Sequence, residues 1–536
     1  MIDWTGPELP ATRQELHYGD RMVACFVDRP ADLWAMVEAA GAFNANGEAL
    51  VCGDNRWTWR ALLDEVGRTA AGLARQGVAA GDRVAILLGN RAEFVVALYA
   101  CFRIGAIVVP LSVRYQTPEI AYAVNDCGAI LLLHDAELAP RLPPTADVPA
   151  LKQRIAVGGD AEGSSSWSSL IADTALPPLP AVNEDATAVI LYTSGTTGLP
   201  KGAMLSHLGL VNSSLVFRHC FELTPADRSI AAVPLAHVTG LVANVLSMAA
   251  CAGTLVVLPA FKAPAFLALA AAERTTHTII VPAMYSLLLM ATDFDAHDLS
   301  AWRIGGFGGA PMPEPVIEAF ARKLPGLSLM NAYGATETSS PSTIMPARHT
   351  AAHLASVGLP VPNCTIVVVD ETGRQVTTGE AGELWIAGPS VVKGYWNRPD
   401  ATADSFAAGY WRSGDIGSVD ADGFVHVFDR KKDMIIRGGL KIFSAEVESV
   451  LAGHPDVVES AVLGKPCPVL GERVHAFVVL KQGVSSADGL RAYLAGRLSD
   501  YKVPETITIS ATALPRNSNG KVLKRELRDA LLASSP

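Results

Sequence analysis

The chain has 536 residues, 50% of them apolar and 18% charged, so it can bury a large core and is not a disordered polypeptide. Lys and Arg number 43 against 53 Asp and Glu, a formal net charge of −10 that excludes a general nucleic-acid binder or a polybasic membrane-surface protein. An anionic small molecule stays open, because one phosphate site needs only a few local donors.

The eight cysteines are scattered, with Cys101 and Cys127 the nearest pair at 26 positions apart. That spacing offers no Cys-x-x-Cys zinc or redox element and no disulfide framework, so a reducing, cytoplasmic interior is expected. The start, Met1-Ile2-Asp3-Trp4, has neither a basic nor an apolar leader segment, and no signal peptide is expected.

In chain order, short apolar runs alternate with helix-length amphipathic segments, the pattern of βαβ units. Strands are predicted at Arg83–Leu88, Ala106–Pro110, Ala129–His134, Ala188–Tyr192, Thr254–Leu258, Thr278–Val281 and Leu327–Asn331. Runs such as Ala188-Val189-Ile190-Leu191-Tyr192 suit parallel strands covered on both faces. Residues 136–187, with Pro143-Pro144, a serine cluster and Pro177-Pro178, read as a connector. The stretch between Arg228 and Lys262 carries no charge, but Pro234, His237, Gly240, Asn244 and Pro259 break it into a loop, a buried helix and a strand rather than a membrane span. No integral membrane segment is expected.

After about residue 355 the pattern turns β-rich, with strands at Thr365–Val369, Gly382–Ala387 and Gly423–Phe428 separated by turn residues. This reads as a small β-barrel or sandwich appended to the α/β body. From Ser444 a mixed α+β unit follows. Its helix Ser444–Leu451 ends near Gly453, strands run over Ser460–Leu463 and His475–Leu480, and a helix near 486–499 precedes a basic terminal helix. The charged run Asp429-Arg430-Lys431-Lys432-Asp433 stands between the two bodies as an exposed hinge.

The densest chemical signal is Tyr192-Thr193-Ser194-Gly195-Thr196-Thr197-Gly198-Leu199-Pro200-Lys201-Gly202. Its glycines allow close backbone approach, its hydroxyls donate, and Lys201 adds a positive charge, a combination suited to phosphate oxygens. It is not a Walker A loop, since Lys201 is followed by glycine. Gly305-Gly306-Phe307-Gly308-Gly309-Ala310-Pro311 is a second glycine-rich loop, and a Rossmann fingerprint wants glycine where Pro311 stands. Glu337 is a hard oxygen donor suited to Mg²⁺, and Thr336 can bond a phosphate.

Taken together these segments resemble the adenylate-forming superfamily of acyl-CoA synthetases, peptide-synthetase adenylation domains and luciferases. Tyr192–His207 is similar to its phosphate loop, Asn331-Ala332-Tyr333-Gly334-Ala335-Thr336-Glu337 to its adenine and magnesium motif, and Trp411-Arg412-Ser413-Gly414-Asp415 to its ribose motif. Asp429–Asp433 is similar to its hinge, and Leu514–Lys521 to its terminal catalytic-lysine motif. The resemblance covers nearly the whole chain, motifs in order. Trp411 stands where many relatives carry tyrosine, and Ile436 where coumarate ligases and luciferases carry lysine.

The resemblance implies an α/β fold: a large N-terminal domain, 1–430, of doubly wound βαβ sheets plus a small β-barrel, a hinge at 431–433, and a small mobile α+β C-terminal domain, 434–536. It implies an acid–thiol ligase using ATP, Mg²⁺ and coenzyme A on a small carboxylic acid. Nucleotide contacts fall on Thr193–Gly198, Gly309, Ala310, Pro311, Asn331, Ala332, Tyr333, Gly334, Thr336, Asp415, Arg430 and Lys521, with Glu337 as metal ligand. Lys521 bridges the acid and the α-phosphate, Thr336 and Lys201 assist, and His237 positions the carboxylate. Val238, Met284, Phe307, Gly308, Gly309 and Gly334 line the acyl pocket with His237. Gly438, Gly439, Leu440 and Lys441 line the path of coenzyme A, and Lys432 is the pivot. The absence of a buried acidic residue near His237–Gly240 favours a medium-chain or aromatic/alicyclic acid. A stand-alone adenylation enzyme loading a carrier protein and a non-catalytic nucleotide-binding scaffold are the alternatives.

Overall fold

The computed structural model describes residues 4, 9–171, 175–193, 199–310, 312–481, 485–516 and 522–533. The fold is mixed α/β, with parallel sheets in a large N-terminal body and a smaller C-terminal one. The chain divides into two compact units. One comprises Met1–Ile366, Trp385–Arg412 and Asp422–Val425, the other Val367–Leu384, Ser413–Ala421 and His426–Pro536.

The first unit is built on two sheets. A seven-stranded sheet runs in the order Lys201–Ser206, Thr187–Thr193, Ile107–Pro110, Arg83–Leu87, Leu131–Asp135, Gln153–Val157, Ser165–Ser166. All its neighbours are parallel except the first pair, where Thr187–Thr193 meets Lys201–Ser206 antiparallel. Three of these strands are absent from the sequence reading: Gln153–Val157 and the two-residue Ser165–Ser166, both inside the supposed connector, and Lys201–Ser206. Gln153–Val157 lies inside the supposed connector, where Arg154 and the flanking polar residues leave only Ile155-Ala156-Val157 as an apolar run. Lys201–Ser206 opens on a lysine and a glycine, which mask its strand pattern.

A nine-stranded sheet runs Leu359–Pro360, Thr343–Ile344, Ser328–Tyr333, Ile304–Phe307, His277–Ile280, Arg228–Ala231, Thr254–Val257, Glu48–Cys52, Asn55–Thr58. Its middle is parallel and its ends antiparallel. Parallel strands covered on both faces need apolar residues on both, and side chains alternate accordingly. Ile279, Ile304 and Met330 enter one core with Phe94, Phe102 and Phe217. Ile280, Phe307 and Leu329 enter another with Phe266, Tyr285, Trp302 and Phe320. Helix Ala92–Arg103 is buried along nearly its full length, as a helix apolar on all sides must be.

The uncharged stretch resolves into strand Arg228–Ala231, a π-helix over Thr239–Leu246 that runs into α-helix Ser247–Cys251, and strand Thr254–Val257. Among the described residues no helix is long and apolar enough to cross a membrane. In the β-rich region, Phe406–Ala407 pairs antiparallel with Tyr410–Trp411.

In the second unit, Val457–Cys467 and Gly471–Leu480 form a long antiparallel pair, with Thr506–Ser510 added in parallel. Helices Ser444–Ala452 and Ala487–Ala495 cover a core of Ile442, Val447, Leu451, Val462, Val478, Leu490 and Leu494. Helix Lys524–Ala533 is fastened by Lys524, whose Nζ reaches Glu448 at 2.7 Å and the Ser444 hydroxyl at 2.7 Å. Burial raises the Glu448 pKa, and Lys524 opposes that rise.

Candidate active site

In open α/β sheets ligands bind beyond the carboxyl ends of the parallel strands. Four adjacent strands of the nine-stranded sheet end in the segments picked out by sequence. Ser328–Tyr333 leads to Gly334–Glu337, Ile304–Phe307 to Gly308–Ala310, His277–Ile280 to Met284, and Arg228–Ala231 to His237 and Val238. One edge thus carries the candidate metal carboxylate, the second glycine loop and the candidate acyl residues.

Glu337 sits in a single 3-10 turn, Thr336–Thr338, whose cap is closed by the Ala335 amide donating to Thr338 Oγ1 at 2.9 Å. Ser339 and Ser340 follow at φ +50° and +69°, two consecutive non-glycine residues in the left-handed region, a costly conformation that clusters at functional sites. Glu337 is only 9% exposed. Its Oε1 accepts from the Tyr395 hydroxyl at 2.9 Å, and its carbonyl from the Val392 amide at 2.9 Å. Among the described residues no cation is ion-paired with it. A buried carboxylate without a counter-charge is unfavourable, and a hard divalent cation relieves that cost. The donor set therefore fits Mg²⁺.

The two strands that flank the candidate phosphate loop, Thr187–Thr193 and Lys201–Ser206, pair antiparallel. Thr193 pairs with Lys201, and Thr193 Oγ1 donates to the Lys201 carbonyl at 3.4 Å. Ser194, Gly195, Thr196, Thr197 and Gly198 lie outside the described residues, as do Pro311 and Lys521. The hairpin's outgoing strand packs beside the Glu337 turn. The Lys201 ammonium stands 4.3 Å from the centroid of the Tyr395 ring. Tyr395, 4% exposed, thus touches Lys201 with its face and Glu337 with its hydroxyl. Sequence reading missed it, and the only signal was a Gly394-Tyr395 pair 58 residues from its partner.

Tyr333 is half-buried against Ile386, Val391 and Trp411. Asn331 pairs in register with Phe307, and Ala332 pairs antiparallel with Ile344. Gly308 permits that packing, because a Cβ there would meet the Ala332 carbonyl oxygen at 2.3 Å. Gly309 has φ +79° with open space around it, and Gly309, Ala310 and Gly334 are exposed.

His237 is half-buried, and its Nδ1 accepts from the Thr239 amide at 3.3 Å, which leaves Nε2 as the donor of a neutral ring. Burial lowers its pKa, so the neutral form is favoured. Gly240 is required by the turn, since a Cβ would lie 2.2 Å from the Pro234 carbonyl oxygen. The two bulky apolar candidates part company. Val238 packs in the core with Leu235 and Leu241, while Phe307 packs in the opposite core, edge-on to Tyr285 at 6.5 Å. Met284 is half-buried against the latter core.

The second unit holds the remaining candidates. Asp415, 4% exposed, is paired with Arg430, Nε to Oδ1 2.8 Å, and Arg430 Nη1 also donates to the Ser413 carbonyl at 3.2 Å. The Asp429 carboxylate accepts from the amides of Arg430 and Ser444, and so ties this strand to the start of helix Ser444–Ala452. Lys432 is exposed in a turn. Gly438 and Gly439, at φ +58° and +84°, are the two-residue turn of a hairpin between Ile435–Arg437 and Leu440–Ile442, where both positions demand left-handed backbone. Leu440 is exposed, and Lys441 pairs with Glu371 at 3.3 Å.

Residues 37–396 match the family described as AMP-binding enzyme, and residues 446–521 match the AMP-binding enzyme C-terminal domain. A feruloyl-CoA synthase of Amycolatopsis sp. is 37% identical over 478 residues, 89% of this chain and 94% of the relative. The long-chain-fatty-acid–CoA ligase FadD13 of Mycobacterium tuberculosis is 34% identical over 487 residues, 90% and 95% of the two chains. Among solved structures, the o-succinylbenzoate CoA synthetase of Bacillus subtilis with its acyl-adenylate intermediate superposes with a TM-score of 0.83 at 32% identity, over 93% and 98% of the two chains. The same enzyme with ATP and magnesium gives 0.82 at 32%, over 93% and 99%. The chain belongs to the AMP-binding, adenylate-forming enzyme family.

Proposed function

We propose that this protein is an AMP-forming carboxylate–CoA ligase. The observation that carries the reading is the buried Glu337 carboxylate, ion-paired with no cation among the described residues, beside the Thr193–Lys201 hairpin at the carboxyl edge of a parallel sheet, in a chain of this family. A carboxylate oxygen of the acid attacks the α-phosphorus of ATP, and the bond to the bridging oxygen breaks to release pyrophosphate. The thiol of coenzyme A, losing its proton, then attacks the acyl carbon, and AMP leaves with the oxygen that had linked it.

Two anions must meet in the first step, so the residues divide the task of neutralising charge. When bound at Glu337, Mg²⁺ supplies positive charge to the phosphates. Thr193, Ser194, Gly195, Thr196, Thr197 and Gly198 cradle the phosphates, and Thr336 donates to the α-phosphate. Gly309, Ala310, Pro311 and Asn331–Gly334 surround adenine, and Asp415 with Arg430 takes the ribose hydroxyls. Lys521 bridges acid and α-phosphate. His237 orients the acid through its Nε2–H. Gly438–Lys441 guide pantetheine, and Lys432 is the pivot between a 1–430 body and a 434–536 lid.

The acid is a hydrophobic one, medium-chain or aromatic. Half-buried Met284 and the lack of any acidic residue within the segment His237–Gly240 support that choice. The reading places the enzyme in the cytoplasm, in keeping with its eight free thiols. The test is a panel of carboxylic acids with ATP, Mg²⁺ and coenzyme A, scored for AMP, pyrophosphate and thioester. Each added methylene should raise kcat/KM about fourfold, the effect of roughly 0.8 kcal/mol, until the pocket is filled. Preference for acetate or for a zwitterionic amino acid contradicts the choice.

A further inference from the structure

Glu337 is held from one segment, Pro389–Arg398. The Val392 amide of that segment donates to the Glu337 carbonyl, and the Tyr395 hydroxyl donates to Oε1. Among the described residues no other side chain hydrogen-bonds to the carboxylate. The segment is itself fixed to the phosphate-loop hairpin on both sides of Tyr395. The Met204 amide donates to the Gly394 carbonyl at 3.1 Å, the Trp396 amide to the Gly202 carbonyl at 2.7 Å, and Ala203 and Tyr395 form an isolated bridge. The Tyr395 amide is taken by Thr402 Oγ1 at 2.9 Å, and its ring packs edge-on to Phe406 at 5.8 Å.

A glutamate has three side-chain torsions, and an isolated carboxylate on a strained turn would sample several of them. A donor on a rigid, buried ring selects one. With Oε1 committed to the hydroxyl, Oε2 is the oxygen left for an external ligand. The same ring offers its negative face to the Lys201 ammonium, so its position registers the phosphate-loop strand against the carboxylate.

We propose that Tyr395 is the positioning residue of the metal site: its hydroxyl orients the Glu337 carboxylate for Mg²⁺, and its ring fixes that carboxylate's distance from Lys201 and the phosphate loop. The proposal rests on the reading of Glu337 as metal ligand. Loss of a residue that orients a ligand typically weakens metal binding 10–100-fold.

The experiment measures Mn²⁺ binding by electron paramagnetic resonance in the full-length protein saturated with α,β-methylene-ATP, together with AMP binding in the absence of metal. Tyr395→Phe is expected to raise the Mn²⁺ Kd about tenfold and to leave the AMP Kd unchanged, and added Mg²⁺ should restore much of its pyrophosphate release. 4-Fluorophenylalanine at 395 fills the hydroxyl's volume without donating; it should behave like Tyr395→Phe, and it keeps the test decisive if the phenylalanine variant folds poorly. In a Glu337→Gln background the same change should have no further effect on Mn²⁺ binding, whereas a merely structural role would cost as much in both backgrounds. Wild-type Mn²⁺ affinity in the 395 variants, with affinity lost in Glu337→Gln, overturns the role of Tyr395 and leaves the metal reading standing. Wild-type affinity in Glu337→Gln itself overturns both.

Discussion

Arg430 Nε lies 2.8 Å from Asp415 Oδ1, and the Arg430 side chain also reaches the Ser413 carbonyl, so guanidinium and carboxylate are locked together within one unit. The pair holds a carboxylate that is 4% exposed in one orientation. Asp415→Asn should therefore damage ribose recognition more than folding. Wild type is expected to prefer ATP to 2′,3′-dideoxy-ATP in kcat/KM by at least about tenfold, and the variant to lose most of that preference, because a buried acceptor left unpaired costs roughly 1–3 kcal/mol. Equal discrimination by both proteins would remove Asp415 from the ribose site.

Glu337→Gln keeps the volume and the bond from Tyr395 while removing the charge. Acid-dependent pyrophosphate release should fall at least about a hundredfold, as expected when a transition-state electrostatic partner is lost, with the melting temperature changed little. Unchanged release at saturating Mg²⁺ is the contrary result.

The two half-reactions should separate by residue. Lys521→Ala should abolish most acyl-AMP formation yet leave thioester formation from supplied acyl-AMP and coenzyme A largely intact. Leu440→Trp should do the reverse, blocking the pantetheine path without touching adenylation. Leu440 is the better site for this test than Gly439, whose φ of +84° makes any side chain a strain on the hairpin turn. Equal losses in both half-reactions, in folded variants, would refute the division.

Stability should fall below neutral pH through buried histidines. His207 accepts from the Leu33 amide at 3.3 Å, and burial lowers its pKa to about 4; burial lowers that of His277 to about 3. Their unfolded value is near 6.5, so between pH 6.5 and 4 the unfolded chain binds protons that the folded chain does not, and lowering pH favours unfolding. Each such histidine contributes up to about 1.4 kcal/mol per pH unit across that window, roughly 3 kcal/mol in all for His207. Urea midpoints should decline steadily from pH 7 to 4.5, and less steeply in His207→Gln. A flat profile in the wild type would show that these rings are protonated without cost.

What the sequence made legible follows physical lines. Ala188–Tyr192 is an unbroken apolar run and reads directly as a parallel strand, and the strand-end motifs announce the active edge because glycines, hydroxyls and carboxylates concentrate there. Lys201–Ser206 escaped because a phosphate-loop lysine and glycine occupy its first positions. The helix predicted in the uncharged stretch is there, but its π geometry over Thr239–Leu246 depends on packing that no periodicity of eight apolar residues reveals. Val238 and Phe307, equally apolar in sequence, enter different cores because one caps the π-helix and the other ends a strand, and the element, not composition, decides the face. Tyr395 was invisible for a related reason: its role is set by a partner far away in the chain.

The central claim is that an oxygen of the acid is joined to the α-phosphorus of ATP. It is tested most directly with a carboxylic acid carrying ¹⁸O in both carboxyl oxygens, incubated with ATP, Mg²⁺ and coenzyme A, and mass analysis of the nucleotide product. The account predicts AMP carrying one labelled oxygen for each thioester formed, with unlabelled pyrophosphate. Unlabelled AMP, or label recovered in ADP or phosphate, would contradict it.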